Sequence, residues 1–213
     1  MTPSAIVFDF DGTIADTLGE GIRIYNLLAR ENGFREMEKE HLSGLRSLDT
    51  NGLFAELKIP KRKIPLLLAK GRRLLKAKIR TLPLIEGMKE TLPRLRENAE
   101  CFGILTSNDT ENVEAFLDSH GLRELFTFIS ATGQLTGKSK HLRAIARTFS
   151  LQPPQMLYVG DELRDIRAAR KSKIAAAAVT WGLNSEESLA AENPRYLVHS
   201  PAELLEIVGV PLM

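Results

Sequence analysis

The chain has 213 residues, 43% of them hydrophobic and 26% charged, the make-up of an ordinary globular protein with room for one generous domain or one domain carrying an insertion. A formal net charge of only +2, with no aromatic-rich basic strand and no recognised binding motif, argues against nucleic acid as a partner. No apolar run approaches the roughly 20 residues of a membrane span. Met1-Thr2-Pro3-Ser4 does not open a signal peptide. The lone Cys101 has no internal partner for a disulfide and sits among apolar residues, so a buried thiol and a reduced, cytoplasmic setting without membrane attachment are expected.

The first element is the apolar run Ala5-Ile6-Val7-Phe8, which reads as a buried strand. It ends in Asp9-Phe10-Asp11-Gly12-Thr13. Residues two apart on an extended chain point the same way, so Asp9 and Asp11 start on one side of the backbone, and Gly12 lets the chain turn away. Carboxylates held that close repel unless a cation or a shared proton compensates.

From Thr17 the pattern turns helical. Ile22, Tyr25, Leu28 and Ala29 keep helical spacing up to Asn32-Gly33. Further helices are expected at Lys39 to Leu45, at Asp49 to Leu57 and, after Pro60, through Ile64, Leu67, Leu68, Gly71, Leu74, Leu75 and Ile79. No stretch from Thr17 to Arg80 reads clearly as a strand. Thr17 to Leu82 carries 15 Lys and Arg against 7 Asp and Glu, and the remainder 14 against 20. A solvated helical surface explains that bias most simply. The sharper hypothesis is a basic insertion that attracts an anionic substrate over an acidic base.

Beyond Leu82, helix and strand alternate. Helices are expected at Met88 to Arg96 (or from Pro93 onward), Glu111 to His120 closed by Gly121, Lys138 to Phe149, Asp165 to Lys171, Glu186 to Glu192, and one opening at Pro201. Strands are expected at Cys101 to Leu105, Thr127 to Ser130, Met156 to Val159, Ala175 to Val179 and Tyr196 to Val198. This is the rhythm of an α/β fold, a parallel sheet covered by helices on both faces with an all-helical insertion.

Ligands of such sheets bind beyond the carboxyl ends of the strands. Asp9 and Asp11, then Thr106-Ser107-Asn108, then Lys138, then Asp161, Glu162 and Asp165 all fall there. Carboxylates, a hydroxyl and a lysine on one rim suit a phosphoryl group beside a divalent cation. A carboxylate can attack phosphorus, and a second can protonate the leaving oxygen. Mg²⁺ takes one or two carboxylates plus the substrate phosphate, and lysine offers positive charge to the equatorial oxygens.

Asp9-Phe10-Asp11-Gly12-Thr13, Ile104-Leu105-Thr106-Ser107-Asn108, Gly137-Lys138 and Val159-Gly160-Asp161-Glu162-x-x-Asp165 resemble, in order, the four motifs of the haloacid dehalogenase superfamily, and most nearly its phosphoglycolate-phosphatase-like branch. The resemblance spans nearly the whole chain. It implies a Rossmann-like core at 1–16 and 82–213 with a helical cap at 17–81, and a small phosphorylated metabolite as substrate. It also implies that Asp9 is nucleophile and Mg²⁺ ligand, and that Asp11 is acid/base with its carbonyl on the metal. Thr106, Ser107, Asn108, Lys138 and Gly12 are implied around the phosphate, Asp161 as metal ligand, and Asp165 and Glu162 behind it. Either Thr106 or Ser107 supplies the second-motif hydroxyl; Thr106 is preferred because it directly follows the strand.

Plainer readings stand beside these. Thr106-Ser107-Asn108 alone reads as a helix cap, Lys140 rivals Lys138, and Arg46, a candidate for substrate selection from the cap, reads more simply as a surface arginine. His41, His120, His141 and His199 lack metal-ligand spacing. Trp181-Gly182, just past an expected strand end, is a candidate for lining the entrance and reads more simply as packing. A phosphomutase using the same aspartate is one alternative function, and a phospho-accepting module without turnover is another.

Overall fold

The computed structural model describes residues 2–133 and 137–211. Six strands form one parallel sheet: β1 (Ala5–Phe8), β2 (Cys101–Thr106), β3 (Phe128–Ala131), β4 (Met156–Gly160), β5 (Ala175–Val179) and β6 (Tyr196–Val198). Their order is β3-β2-β1-β4-β5-β6. β1 is central, with Phe8 level with Ile104 on one side and Val159 on the other. Both faces of β1 are covered, which is why its sequence is continuously apolar instead of alternating.

Ten helices are assigned among the described residues. α1 (Leu18–Asn32), α2 (Leu42–Arg46), α3 (Thr50–Glu56) and α4 (Ile64–Lys76) lie between β1 and β2. α5 (Met88–Glu97), α6 (Thr110–Ser119), α7 (Lys138–Thr148), α8 (Leu163–Lys171), α9 (Glu186–Ala191) and α10 (Glu203–Ile207) flank the sheet. Phe8, Phe102 and Ile104 pack with Leu92 of α5, Phe116 of α6 and Leu205 of α10 on one face. Val7, Leu105 and Tyr158 pack with Leu142 of α7, Ile166 of α8 and Leu189 of α9 on the other. Gly103 is needed on this second face: a Cβ there stands 2.2 Å from the Phe128 ring.

Three expectations are refined. Pro93 lies inside α5, which starts at Met88; the proline removes one bond to the carbonyl of Lys89, an exposed residue that water can serve. The helix expected from Lys39 divides into a 3₁₀ turn and α2. Pro201 stands two residues ahead of α10, in the turn that leads into it. Cys101 is buried, and burial pushes its thiol pKa up. No helix of the described residues is long and apolar enough to cross a membrane.

The segments entering and leaving the helical insertion run side by side. The Asp16 N–H donates to the Pro83 carbonyl at 2.9 Å, and the Ile85 N–H to the Ile14 carbonyl at 2.9 Å. Ion pairs on two flanks also tie the insertion to the core. Arg72 Nε lies 3.1 Å from Asp109 Oδ1 and Lys76 Nζ 2.5 Å from Glu111 Oε2, so two cations of α4 meet acids at the start of α6. On the other flank Arg167 Nη1 is 2.8 Å from Asp49 Oδ2.

Candidate active site

β1 is where the sheet changes direction: the chain moves outward to β2 and β3, then returns to place β4 on the opposite side. The connections after β1 and β4 diverge there and leave a crevice at the strand ends. Asp9 and Asp11 lie on one side of it and Asp161 on the other.

Lys138 opens α7 and reaches back under the crevice. It is 3% exposed, and its Nζ lies 2.6 Å from Asp9 Oδ2 and 2.6 Å from Asp165 Oδ1. Burial works against its charge, but Asp165 and Asp9 outweigh that and raise its pKa. Lys140, the rival by sequence, is exposed. The second oxygen of Asp9 accepts from the Phe10 N–H at 2.8 Å, so both are engaged.

Asp161 is 1% exposed. Its Oδ1 accepts from Thr13 Oγ1 and its Oδ2 from the Leu183 N–H, each at 2.7 Å. Two glycines make room for it. A Cβ on Gly182 stands 2.2 Å from Asp161 Oδ2, and one on Gly12 stands 2.5 Å away. Gly12 also has φ +74°, a left-handed conformation that side chains disfavour. Its N–H is bonded to the Ala15 carbonyl, so this position, expected around the phosphate, contributes space instead of a donor.

Among the described residues, Asp9, Asp161 and Asp165 bring ligand oxygens within 4.8 Å of one another. A hard divalent cation takes such oxygen donors. The trio carries negative charge that Lys138 alone does not balance, and Asp161 registers it: burial, then Glu162, Asp9 and Asp165, push its pKa well above the carboxylate range. The donor set fits Mg²⁺. Both oxygens of Asp165 are already used, one by Lys138 and the other by the Glu162 N–H at 3.1 Å, so it supports the cluster from behind.

The Asp11 side chain turns the other way. Asn108 Nδ2 donates to both of its oxygens, at 3.2 and 3.1 Å. Burial and then the Asp9 charge raise its pKa to about 6, against the opposing pull of Asn108, Thr17 and Arg164. Thr106 is fully buried and its Oγ1 accepts from the Asn108 N–H at 2.9 Å, whereas Ser107 and Asn108 line the cavity above. Glu162 pairs with Arg164 at 2.5 Å, and Arg164 also reaches Ser107 Oγ at 3.3 Å.

Arg46 is not directed into the cavity. Its Nε and Nη2 donate to the carbonyls of Leu183 and Gly182 at 2.9 and 2.7 Å, while Asn184 Nδ2 donates back to the Arg46 carbonyl at 2.8 Å. The insertion is therefore clasped to the same loop whose Leu183 N–H holds Asp161. Gly182, Leu183, Asn184, Thr13 and Arg164 escaped the sequence reading as site residues. Two of them carried a signal for it: Thr13 closes the first motif, and Gly182 is a glycine just past a strand end. His41, His120, His141 and His199 find carboxylate, carbonyl or hydroxyl partners.

A parallel sheet with paired aspartates at its switch point, a buried lysine and a helical insertion over the crevice defines a phosphoryl-transfer hydrolase. The chain belongs to the haloacid dehalogenase-like hydrolases, whose family model matches residues 6–179. It is 36% identical over 204 residues to a phosphoglycolate phosphatase of Synechococcus elongatus, covering 96% of each chain. It is 26% identical over 218 residues to one of Vibrio parahaemolyticus, again covering 96% of each. A haloacid dehalogenase-like hydrolase structure from Streptococcus pneumoniae superposes with a TM-score of 0.80 at 26% identity, over 96% of this chain and 97% of that one. The protein is a phosphatase of the haloacid dehalogenase type.

Proposed function

We propose a Mg²⁺-dependent hydrolysis of a small phosphorylated metabolite through a phosphoryl group carried on Asp9. The observation that carries this reading is the Lys138 ammonium at 2.6 Å from both Asp9 and Asp165, with Asp161 completing the carboxylate cluster. Asp9, Asp161 and the Asp11 carbonyl would hold the metal, with Asp165 and Glu162 bracing the loop. When bound, the ion supplies positive charge to the phosphoryl oxygens.

An Asp9 carboxylate oxygen attacks phosphorus in line, the ester P–O bond breaks, and Asp11 gives its proton to the departing alkoxide. Asp11 then takes a proton from water, which attacks the same phosphorus and releases Asp9 and phosphate. Lys138 can exchange its contact with Asp9 for a phosphoryl oxygen, with the Thr106-Ser107-Asn108 turn on the other side. The 17–81 segment acts as a cap domain on the 1–16 and 82–213 core; its closure excludes bulk water. The names of the relatives make phosphoglycolate the first compound to assay.

Release of phosphate from a generic aryl phosphate is expected with Mg²⁺ and lost with EDTA. Activity untouched by chelation overturns the metal assignment. Phosphate uptake without turnover overturns hydrolysis itself.

Asn108→Ala tests Asp11. The amide donates to the charged carboxylate and so lowers its pKa. Removing it raises that pKa, so the limb of the kcat profile that reports Asp11 moves to higher pH. An unmoved profile removes Asp11 from the proton transfers.

A further inference from the structure

A cavity of about 320 Å³ runs from the catalytic crevice up between α1 and α4. Its floor is polar: Asp11, Gly12, Ser107, Asn108, Asp161 and Glu162. Its upper walls are aliphatic and aromatic, with Ile22, Phe54, Ile64, Leu67, Leu68 and Leu75 among them. The insertion contributes a single cation to the lining, Arg72, and its guanidinium is engaged by Asp109 at 3.1 Å. Tyr25 also lines the cavity, but its hydroxyl is spent on the Arg35 carbonyl at 2.6 Å.

Two glycines hold this space open. Gly21 of α1 and Gly71 of α4 both line it. A Cβ at Gly21 meets nothing within 4 Å, and one at Gly71 meets only Ile24 Cγ2 at 4.0 Å. Neither glycine is demanded by positive φ or by a close contact. Gly21 is exposed and Gly71 half-buried, and glycine is a poor helix former at both places. An added methyl group fits at both places and alanine favours the helix, so its absence leaves room for something else.

We propose that this cavity receives the organic part of the substrate, and that the preferred substrates are phosphate monoesters of extended, apolar alcohols. This rests on the phosphatase reading above and specifies its substrate class. The two-carbon glycolate leaves most of the volume unfilled, and a carboxylate carried up between the Leu and Ile walls lacks partners there apart from Arg72. An alkyl or aromatic group gains from each methylene removed from water, while the polar floor keeps the phosphoryl group at Asp9. The reaction remains ester plus water to alcohol plus phosphate.

The test measures kcat/KM by phosphate release from the full chain with Mg²⁺, using phosphoglycolate and ethyl, butyl and hexyl phosphate. The expected series rises by roughly fourfold per added methylene until the cavity is filled, with phosphoglycolate below hexyl phosphate. Gly71→Leu, and Gly21→Leu as an independent second variant, place a side chain in the cavity and should bring the hexyl-to-ethyl ratio close to one. A flat or falling series, phosphoglycolate as the best substrate, or a ratio unmoved by both variants overturns the substrate class while leaving the phosphatase intact. No phosphate release from any of the esters overturns the phosphatase reading and this inference with it.

Discussion

Asp9→Asn should lose phosphate release by on the order of 10⁴- to 10⁶-fold while keeping its fold. Asparagine keeps the shape but has one acceptor oxygen for two donors, the Phe10 N–H at 2.8 Å and the Lys138 ammonium at 2.6 Å, so one of these two hydrogen bonds is lost. It loses the charge that faces Lys138, but Asp165 still lies 2.6 Å from that ammonium, so the lysine is not stranded. Removing the Asp9 charge also relieves Asp11 and Asp161, both of which it pushes toward protonation. The melting temperature should therefore change little. Retained turnover in a folded Asp9→Asn protein refutes nucleophilic attack by this residue. Rapid quench of the wild type should trap a base-labile phosphoryl group that the variant lacks.

Lys138→Met should damage both activity and stability. It leaves Asp9 and Asp165, each 2% exposed, without their ammonium. Stranding buried charge in this way costs about 3–5 kcal/mol. Burial already makes Asp165 harder to ionise and the lysine opposes this, so without Lys138 the deficit is largest above the folded-state pKa of Asp165 and shrinks as pH falls and that carboxylate protonates. A merely poor fold is separated from a catalytic loss by the double variant Lys138→Met with Asp165→Asn. Removing one stranded charge should restore part of the stability measured by urea denaturation, and no activity. Recovery of turnover together with stability shows that Lys138 does not assist transfer and serves only to neutralise Asp165.

These two residues also show how legible the site was. Asp9 announces itself, because a pair of aspartates two apart at the end of an apolar strand has few structural uses. Lys138 is one lysine among many, and periodicity places it only at the start of a helix. That α7 starts beneath the crevice, turning this lysine inward while Lys140 stays in solvent, depends on how the helix packs against Leu105 and Tyr158. Arg46 shows the reverse. Its sequence surroundings leave open a place above the substrate, whereas its guanidinium is taken by the carbonyls of Gly182 and Leu183, residues more than a hundred positions away.

The chain's own residues determined the α/β alternation, the helical insertion between the first two strands and the polar strand ends, since these rest on local periodicity and on turn chemistry that each segment carries alone. The tertiary structure decided which carboxylates cluster, where Asp11 turns, how the insertion is clasped to the loop holding Asp161, and that an apolar cavity stands above the aspartates. Those are outcomes of strand order and helix packing. They join side chains far apart in sequence through burial and charge, and no local pattern records the distance between them.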